Sequence, residues 1–309
     1  MPMMNPAQTR LIDPILTNLA LGYRNAELVG AQIFPAVPVA LSGGQVLTFG
    51  LEAFKAYNTL RALTGTIREV TFSYTGQHYA LEIHSLAGKV AFETVRDARV
   101  MPGIDYAARA INNVMRILML ELELQQAALA TNAANYDSNH KSAPSGADKW
   151  SASTSNPSQQ IFVAREAIRS SVGVYPNVAL LSAQAFSALQ SHPAILDRVK
   201  YTSRDSITTE ILAQLWEIDR VVVGKAISAD DAGNRSDVWG NNALLAYSAI
   251  GSMSAEEPSY GYTYTMEGNP TVDRPHYDDD TRSWKYPVHY ERVPLMTGMT
   301  SGFLIASPC

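Results

Sequence analysis

The sequence predicts an α+β fold. Three observations carry that expectation: an uninterrupted amphipathic helix near residues 103–130, a block of short helices and apolar strands from about residue 161 to 255, and aromatic-rich strand patterns before and after them. Residues 1–43 come first and are apolar, but Pro6, Pro14, Pro35 and Pro38 interrupt them. Proline removes a backbone donor and restricts the residue before it, so a long helix is excluded and an extended arm is expected. Such an arm has little to pack on by itself, and the body is expected to fold without it.

Residues 44–76 read as an extended β-hairpin. Gln45 to Tyr57 and Thr66 to Tyr74 (TIREVTFSY) alternate and are rich in β-branched and aromatic residues, with the polar NTLRALTG between them. Glu52, Lys55, Arg61, Arg68 and Glu69 give it mixed charge. A lone two-stranded hairpin is marginal in water and calls for a partner surface. After Pro102-Gly103, the residues Ile104, Ala107, Ala108, Ile111, Met115, Leu118 and Leu122 form one stripe at helical spacing, and Asp105 complements the helix dipole. A helix over 103–130 is roughly 42 Å long at about 1.5 Å per residue. Glu121 and Glu123 lie two apart on it and point to different faces, which reads as solvated charge and not as an acid–base pair.

Residues 135–158 (NYDSNHKSAPSGADKWSASTSNPS) are rich in Ser, Asn, Gly and Pro and read as a loop that builds no core. A helix follows, with Asn156-Pro157-Ser158 as its start and Gly173 as its stop. PNVALLSAQAFSALQSH reads as strand then helix, ITTEILAQLWEID as helix, and RVVVGKAI and NALLAYSAI as buried strands. Residues 256–309 return to aromatic strands, expected to fold back beside the long helix. Tyr260, Tyr262 and Tyr264 alternate at strand spacing; stacking on bases is conceivable chemistry for them, but sheet packing at a subunit contact is the favoured reading.

Composition narrows the function. The chain has 309 residues, 46% hydrophobic and 17% charged, with a net charge of -5, so no global basic field drives DNA binding. Cys309 is the only cysteine, which excludes an intrachain disulfide and suits a reducing compartment. Asp13, Pro14, Arg24 and Glu27 break any secretory signal, and no window supplies the roughly 18 apolar residues of a membrane span. A soluble cytoplasmic protein with no membrane contact is expected.

The short motifs are weak. LSGGQ, Leu41 to Gln45, matches the signature loop of ABC transporter ATPases, but no GxxxxGK[ST] loop accompanies it and the following VLTFGLEAF suits a strand. Its glycines read as a turn feeding that strand. His78, His84, His140, His192, His276 and His289 show no tight ligand spacing, so no metal site is expected. Asp278-Asp279-Asp280 reads as a solvated turn between strands ending at His276-Tyr277 and beginning at Ser283-Trp284. No GxSxG elbow is present, and no catalytic residue or cofactor is assigned.

The order of parts, and the phrases LTNLALGYRNAELVGAQIFPAVPV, FSYTGQHYALEIHSLAGKV, PNVALLSAQAFSALQSHPAILDRVKYT and TRSWKYPVHYERVP, resemble the major capsid proteins of tailed bacteriophages, whose fold is named for the phage Hong Kong ninety-seven. The resemblance implies an N-terminal arm (1–43), an extended hairpin loop (44–76), a peripheral domain (77–160) with spine helix 103–130, an axial domain (161–255), and closing strands of the peripheral domain (256–309). It implies hexamers and pentamers of this chain in an icosahedral shell around double-stranded DNA, with no sequence-specific DNA binding. A portal protein, and in some relatives a decoration protein, would be partners. Some relatives begin with a scaffolding segment; here the hairpin starts near residue 45, so a separate scaffolding protein is implied. Others cross-link a hairpin lysine to a neighbour, whereas Lys55 lies short of the hairpin tip and reads as solvated. The hairpin charges and the three tyrosines are the candidate subunit contacts. Two other classes stay open: the shell protein of a bacterial nanocompartment, which shares the fold, and a soluble α/β enzyme, which requires a pocket of convergent polar groups.

Overall fold

A computed structural model describes residues 12–23, 25, 27–46, 60, 77–98, 105–199, 206–249 and 259–309. The chain begins with helix α1 (Pro14–Leu21), a single turn of 3-10 helix (Gly30–Gln32) and strand β1 (Ala36–Val39). The arm holds no long helix, but it is not wholly extended either, since Pro14 starts the eight-residue α1. At the first helical position its missing N–H has no intrahelical role, and the Asp13 carboxylate accepts from Ile15 N at 2.9 Å and Leu16 N at 3.1 Å. Strands β2 (Gly43–Val46) and β3 (Gln77–Ala80) pair antiparallel, from Gly43 opposite Ala80 to Val46 opposite Gln77. They bracket the expected hairpin, whose strands, together with Glu52, Lys55, Arg61, Arg68 and Glu69, lie outside the described residues.

Next come β4 (Glu82–Ala91), α2 (Phe92–Ala98), α3 (Tyr106–Thr131), β5 (Lys141–Ser142), α4 (Pro157–Val172), β6 (Val178–Ser182), α5 (Ala183–Ser191), α6 (Pro193–Val199) and α7 (Thr209–Trp216). Then follow β7 (Arg220–Gly224), the ribbon β8 (Ile227–Ala229) and β9 (Arg235–Asp237), β10 (Asn242–Ala246), β11 (Gly261–Met266), β12 (Thr271–Val272), β13 (His276–Asp278), β14 (Ser283–Met296) and β15 (Gly302–Ala306). The long helix is the one its stripe predicts, and α4 has the expected ends. Asn156 caps it through Gln159 N, and Gly173 takes φ 80°, a left-handed value that glycine adopts without a steric penalty.

Two sheets organise the rest. In the six-stranded sheet, the fourteen residues of β14 pair along one edge with β4 and along the other with β13, β12 and β11 in turn, and β1 lies parallel outside β11. Helix α3 lies on this sheet. Its Ile111, Val114, Met115, Leu118 and Leu122 pack with Val90, Tyr286, Val288 and Tyr290, confirming that the closing strands fold back beside it. Strand and helix approach closely at Gly88, where a Cβ would stand 3.0 Å from the Ala110 methyl.

The second sheet has the order β5-β15-β10-β6-β7. Both of its faces are buried, so VALLS and NALLA read as continuous apolar runs while the residues still alternate. Ala179, Leu181, Ala243, Leu245, Phe303 and Ile305 point toward α4, α5 and α7, where Trp216 lies. Val178, Leu180, Leu244 and Leu304 point toward Ala127 and Ala130 of α3 and toward Ile33 and Phe34 of the arm.

Three expectations are corrected here. The arm is built into the body: Ile33 and Phe34 are fully buried in the core beneath the second sheet and β1 is a strand of the six-stranded sheet, so removing residues 1–43 would strip the body. Residues 135–158 are not purely a loop, since Lys141–Ser142 add an edge strand and Trp150 is buried, its N donating to Pro308 O and its Nε1 to Gln160 Oε1. The closing segment is divided, because β15 pairs with β10 and β5 in the second sheet.

Trp216 is fully buried among α4, α5 and the second sheet. Trp216→Ala is expected to destabilise the chain by about 3–5 kcal/mol, read as a lower urea midpoint at an unchanged slope.

Candidate functional site

The N-terminal arm, the long helix and the second sheet meet at Glu123. Its side chain is buried, and its Oε1 accepts from Val29 N at 3.0 Å and from Trp239 Nε1 at 2.7 Å, while Oε2 accepts from Gly30 N at 2.8 Å. Val29 and Gly30 open the 3-10 turn, whose first N–H groups have no partner within the turn, and the carboxylate caps them. Gly30 is required by contact: a Cβ there would stand 2.0 Å from Gln126 Oε1 and 2.7 Å from Glu123 Oε2. Gln126 in turn donates to Thr263 Oγ1 at 2.9 Å, tying the same helix to β11. Burial pushes the Glu123 carboxyl above its ordinary value against the three N–H bonds that favour its charge.

The expectation that Glu121 and Glu123 are both solvated is therefore corrected. They do face apart, but the arm and Trp239 cover one of them. The other is half-exposed and bonds Arg292 at 3.3 Å and His84 at 3.2 Å. Arg292 is fully buried on β14 and also donates to Leu118 O at 2.9 Å and Gln125 Oε1 at 3.0 Å, locking strand to helix. Sequence reasoning missed Arg292 as well. The available signal for Glu123 was the small-residue face Ala127–Ala130, which continues its side of the helix into the core.

The three tyrosines expected at a subunit contact are buried inside this chain, at 0%, 1% and 2% exposure for Tyr260, Tyr262 and Tyr264. Every residue from Gly261 to Thr265 is buried, because the sheet is covered on both faces there, so the rings are core and present no contact surface. Tyr260 bonds Tyr136, whose hydroxyl donates to Ala130 O at 2.7 Å. Tyr264 stacks on Tyr79 of β3 at 4.8 Å and 8°. Gly44 of β2 also lies against the Tyr79 ring, where a Cβ would come within 2.7 Å. The glycines of LSGGQ thus lie within β2 and not in a turn ahead of it, and Gly44 makes room for an aromatic ring.

The remaining candidates are structural. His140 bonds Asp137 through Nδ1 at 2.8 Å and Ser171 through Nε2 at 2.9 Å, a serine–histidine–aspartate set. Its ring is buried, however, and Ser171 Oγ also bonds Ala167 O inside α4, so the set ties a loop to a helix. Asp278 begins the expected acidic turn; the Lys285 ammonium at 2.6 Å and Thr281 hold its carboxyl down at about 2. Among the described residues no cluster of His, Cys, Asp and Glu could hold a metal ion, and no helix is long and apolar enough to cross a membrane.

Removing one donor from a buried carboxylate is costly, and Trp239→Phe is expected to destabilise the chain by about 1.5–3 kcal/mol in a denaturant titration. Because the Asp278 carboxyl lies below its ordinary value, its contribution is complete above about pH 4 and is lost as pH falls through about 2. Lys285→Ala should return its titration, followed by carboxyl NMR, toward the ordinary aspartate range.

No family model matches the chain. The major capsid protein of Burkholderia phage BcepMu is 32% identical over 305 residues, which span 97% of this chain and 97% of that protein. A crystal structure of a phage-related protein from Bordetella bronchiseptica RB50 is similar at 42% identity and a TM-score of 0.85, covering 97% of this chain and 99% of that one. The encapsulin of Synechococcus elongatus PCC 7942 shares the fold alone, at 10% identity and a TM-score of 0.54 over 90% of this chain and 86% of that one. Identity at this level from end to end, on the two-sheet body with its arm and hairpin base, leaves one conclusion: the chain belongs to the family of phage major capsid proteins.

Proposed function

We propose that this chain assembles, as hexamers and pentamers, into the icosahedral head shell of a tailed bacteriophage and encloses double-stranded DNA without reading its sequence. The observation that carries the reading is the end-to-end match to a phage major capsid protein. The six-stranded sheet with α3 serves as the peripheral domain, and the second sheet with α4 to α7 serves as the axial domain that meets its copies around the symmetry axes. Glu52, Lys55, Arg61, Arg68 and Glu69 of the hairpin loop act as subunit contacts. Assembly takes place in the host cytoplasm with a separate scaffolding protein, a portal protein occupies one vertex, and the finished chain resides in the virion. The role is structural and needs no cofactor.

A nanocompartment reading rests on the shared fold only, at 10% identity. An enzyme reading would need convergent polar groups in a pocket. The depression lined by Ser142, Pro144, Asp148, Gln159, Gln160, Val163 and Phe303, about 330 Å³, holds one hydroxyl and one carboxylate, with no histidine, lysine or cysteine in its lining.

Sedimentation velocity followed by negative-stain electron microscopy, with and without the scaffolding protein, tests the reading. Closed shells or rings of five and six subunits are expected; a persistent monomer or dimer under both conditions would overturn it. The β2–β3 register supplies a sharper variant. Val46 and Gln77 face each other, so an Asn-Gly turn can replace residues 47–76. That variant is expected to keep the urea midpoint of the parent and to form no shells.

A further inference from the structure

We propose that the outer edge of β4 is a docking surface for a second copy of this chain, which adds a strand from its hairpin loop to the six-stranded sheet. Among the described residues β4 pairs with β14 and with no other strand. The register shows which of its backbone groups face outward. Phe92 N donates to Arg282 O at 3.0 Å, the next pair of the same ladder, so the hydrogen-bonded pairs fall at the even positions of β4. Pro287, opposite Ala87, agrees with that parity. It has no N–H to give, and its carbonyl points the other way, to Asp273 N at 3.0 Å. The N–H and C=O groups of Ile83, Ser85, Ala87 and Lys89 therefore point away from β14, and among the described residues none of them has a hydrogen-bond partner. Their side chains are exposed as well, Ile83 at 70%. Leu81, of the same parity, shows what this edge accepts: its N–H donates to Ser42 O at 2.7 Å, where the antiparallel β2 begins. Past that point the cover stops, because the residues before Ser42 belong to β1 and lie against β11.

The other edges of the two large sheets are short. Strand β1 has four residues, one of them Pro38, β5 and β12 have two, β13 has three and β7 five. Strand β4 has ten, and Lys89 is the one charged residue among those that face outward. A row of unpaired groups of that length is a template for an added strand. The strand comes from another molecule. Strands β2 and β3 run from Gly43 and Ala80 to Val46 and Gln77, so the hairpin of the same chain departs at the end of the pair remote from β4. A second copy brings the same loop without that restriction. Its run Thr66 to Tyr74 is strand-patterned and as long as the stretch Ile83 to Ala91, and Glu52 and Glu69 of the loop offer Lys89 a counter-charge. This surface rests on the shell reading and deepens it, since it gives the hairpin a place to seat on the neighbouring subunit.

The test is hydrogen exchange read at single residues by mass spectrometry, on the unassembled full chain and on particles separated from it by sedimentation. In the unassembled chain the amides of Leu86, Gly88 and Val90 should be protected, and those of Ser85, Ala87 and Lys89 should exchange near their intrinsic rates. On assembly the second set should slow by about tenfold or more while the first set stays as it was. Ala87→Pro removes an outward N–H and leaves the β14 ladder intact, so it should keep the parental urea midpoint and fail to assemble. Outward amides already protected in the unassembled chain would overturn the docking surface. So would outward amides that stay unprotected in closed shells, and the shell reading would then stand without it. Ala87→Pro particles at the parental yield would overturn it as well, and if that variant does not fold, the parent chain alone decides. Small complexes that slow the outward amides but never close would keep the surface and overturn the shell, whereas a chain that never associates overturns both. In the variant lacking residues 47–76, outward amides that still slow on association would overturn the hairpin as the occupant.

Discussion

One buried carboxylate holds together segments that the chain order keeps far apart. Val29 is 94 residues from Glu123 and Trp239 is 116 residues away, yet all three meet within hydrogen-bond distance. Removing the carboxylate would leave backbone and indole donors without partners in a core, the costly side of the hydrogen-bond asymmetry. Placing a charge there is also costly, so the site persists because every lone pair in use has a donor. That condition fixes the arm, the helix and the second sheet relative to one another. The interaction specifies an arrangement more than it adds stability.

A second constraint works on another face of the same stretch of helix, at Leu118, Glu121 and Gln125. Arg292 is buried on the central strand of the six-stranded sheet and directs its guanidinium at a helix carbonyl, a glutamine and a half-exposed glutamate. Helix α3 is therefore pinned twice: by its own carboxylate to the arm and to Trp239, and by the arginine of β14 to the first sheet. Around the pins, apolar packing supplies most of the favourable energy and little of the direction, because it is roughly proportional to area and insensitive to orientation. The two polar pins supply the direction. A rigid relation between the two sheets is what a subunit needs if its shape is to set the curvature of a shell.

How much of this was legible follows from what periodicity can encode. The stripe from Ile111 to Leu122 predicts α3, the signals at Asn156 and Gly173 predict α4, and VALLS and NALLA predict buried strands. Each depends on residues close in sequence. Periodicity shows that a face is covered but not by what, and residue type alone places glutamate in water. Glu123 therefore reads as solvated until Val29 and Trp239 are brought to it. Polar composition likewise hid Lys141–Ser142 and Trp150, whose partners are at the C-terminal end of the chain. The tyrosines of β11 were misplaced for the opposite reason. Their alternation is that of a strand with one covered face, while here both faces are covered and even Thr263 is buried.

The distance between fold and function is also physical. A core such as Val178, Leu180, Leu244 and Leu304 requires volume and apolarity, which many residues satisfy, so identity can fall to 10% against an encapsulin while the architecture remains. What a shell contains must then be read from residues the core does not need. The net charge of -5 leaves no global basic field to grip nucleic acid. For a shell subunit the decisive residues are those that set angles between rigid parts: Glu123 under the arm, Arg292 under the helix, and Gly44 with Tyr79 in the β2–β3 pair. Each acts by excluding other arrangements of the same chain.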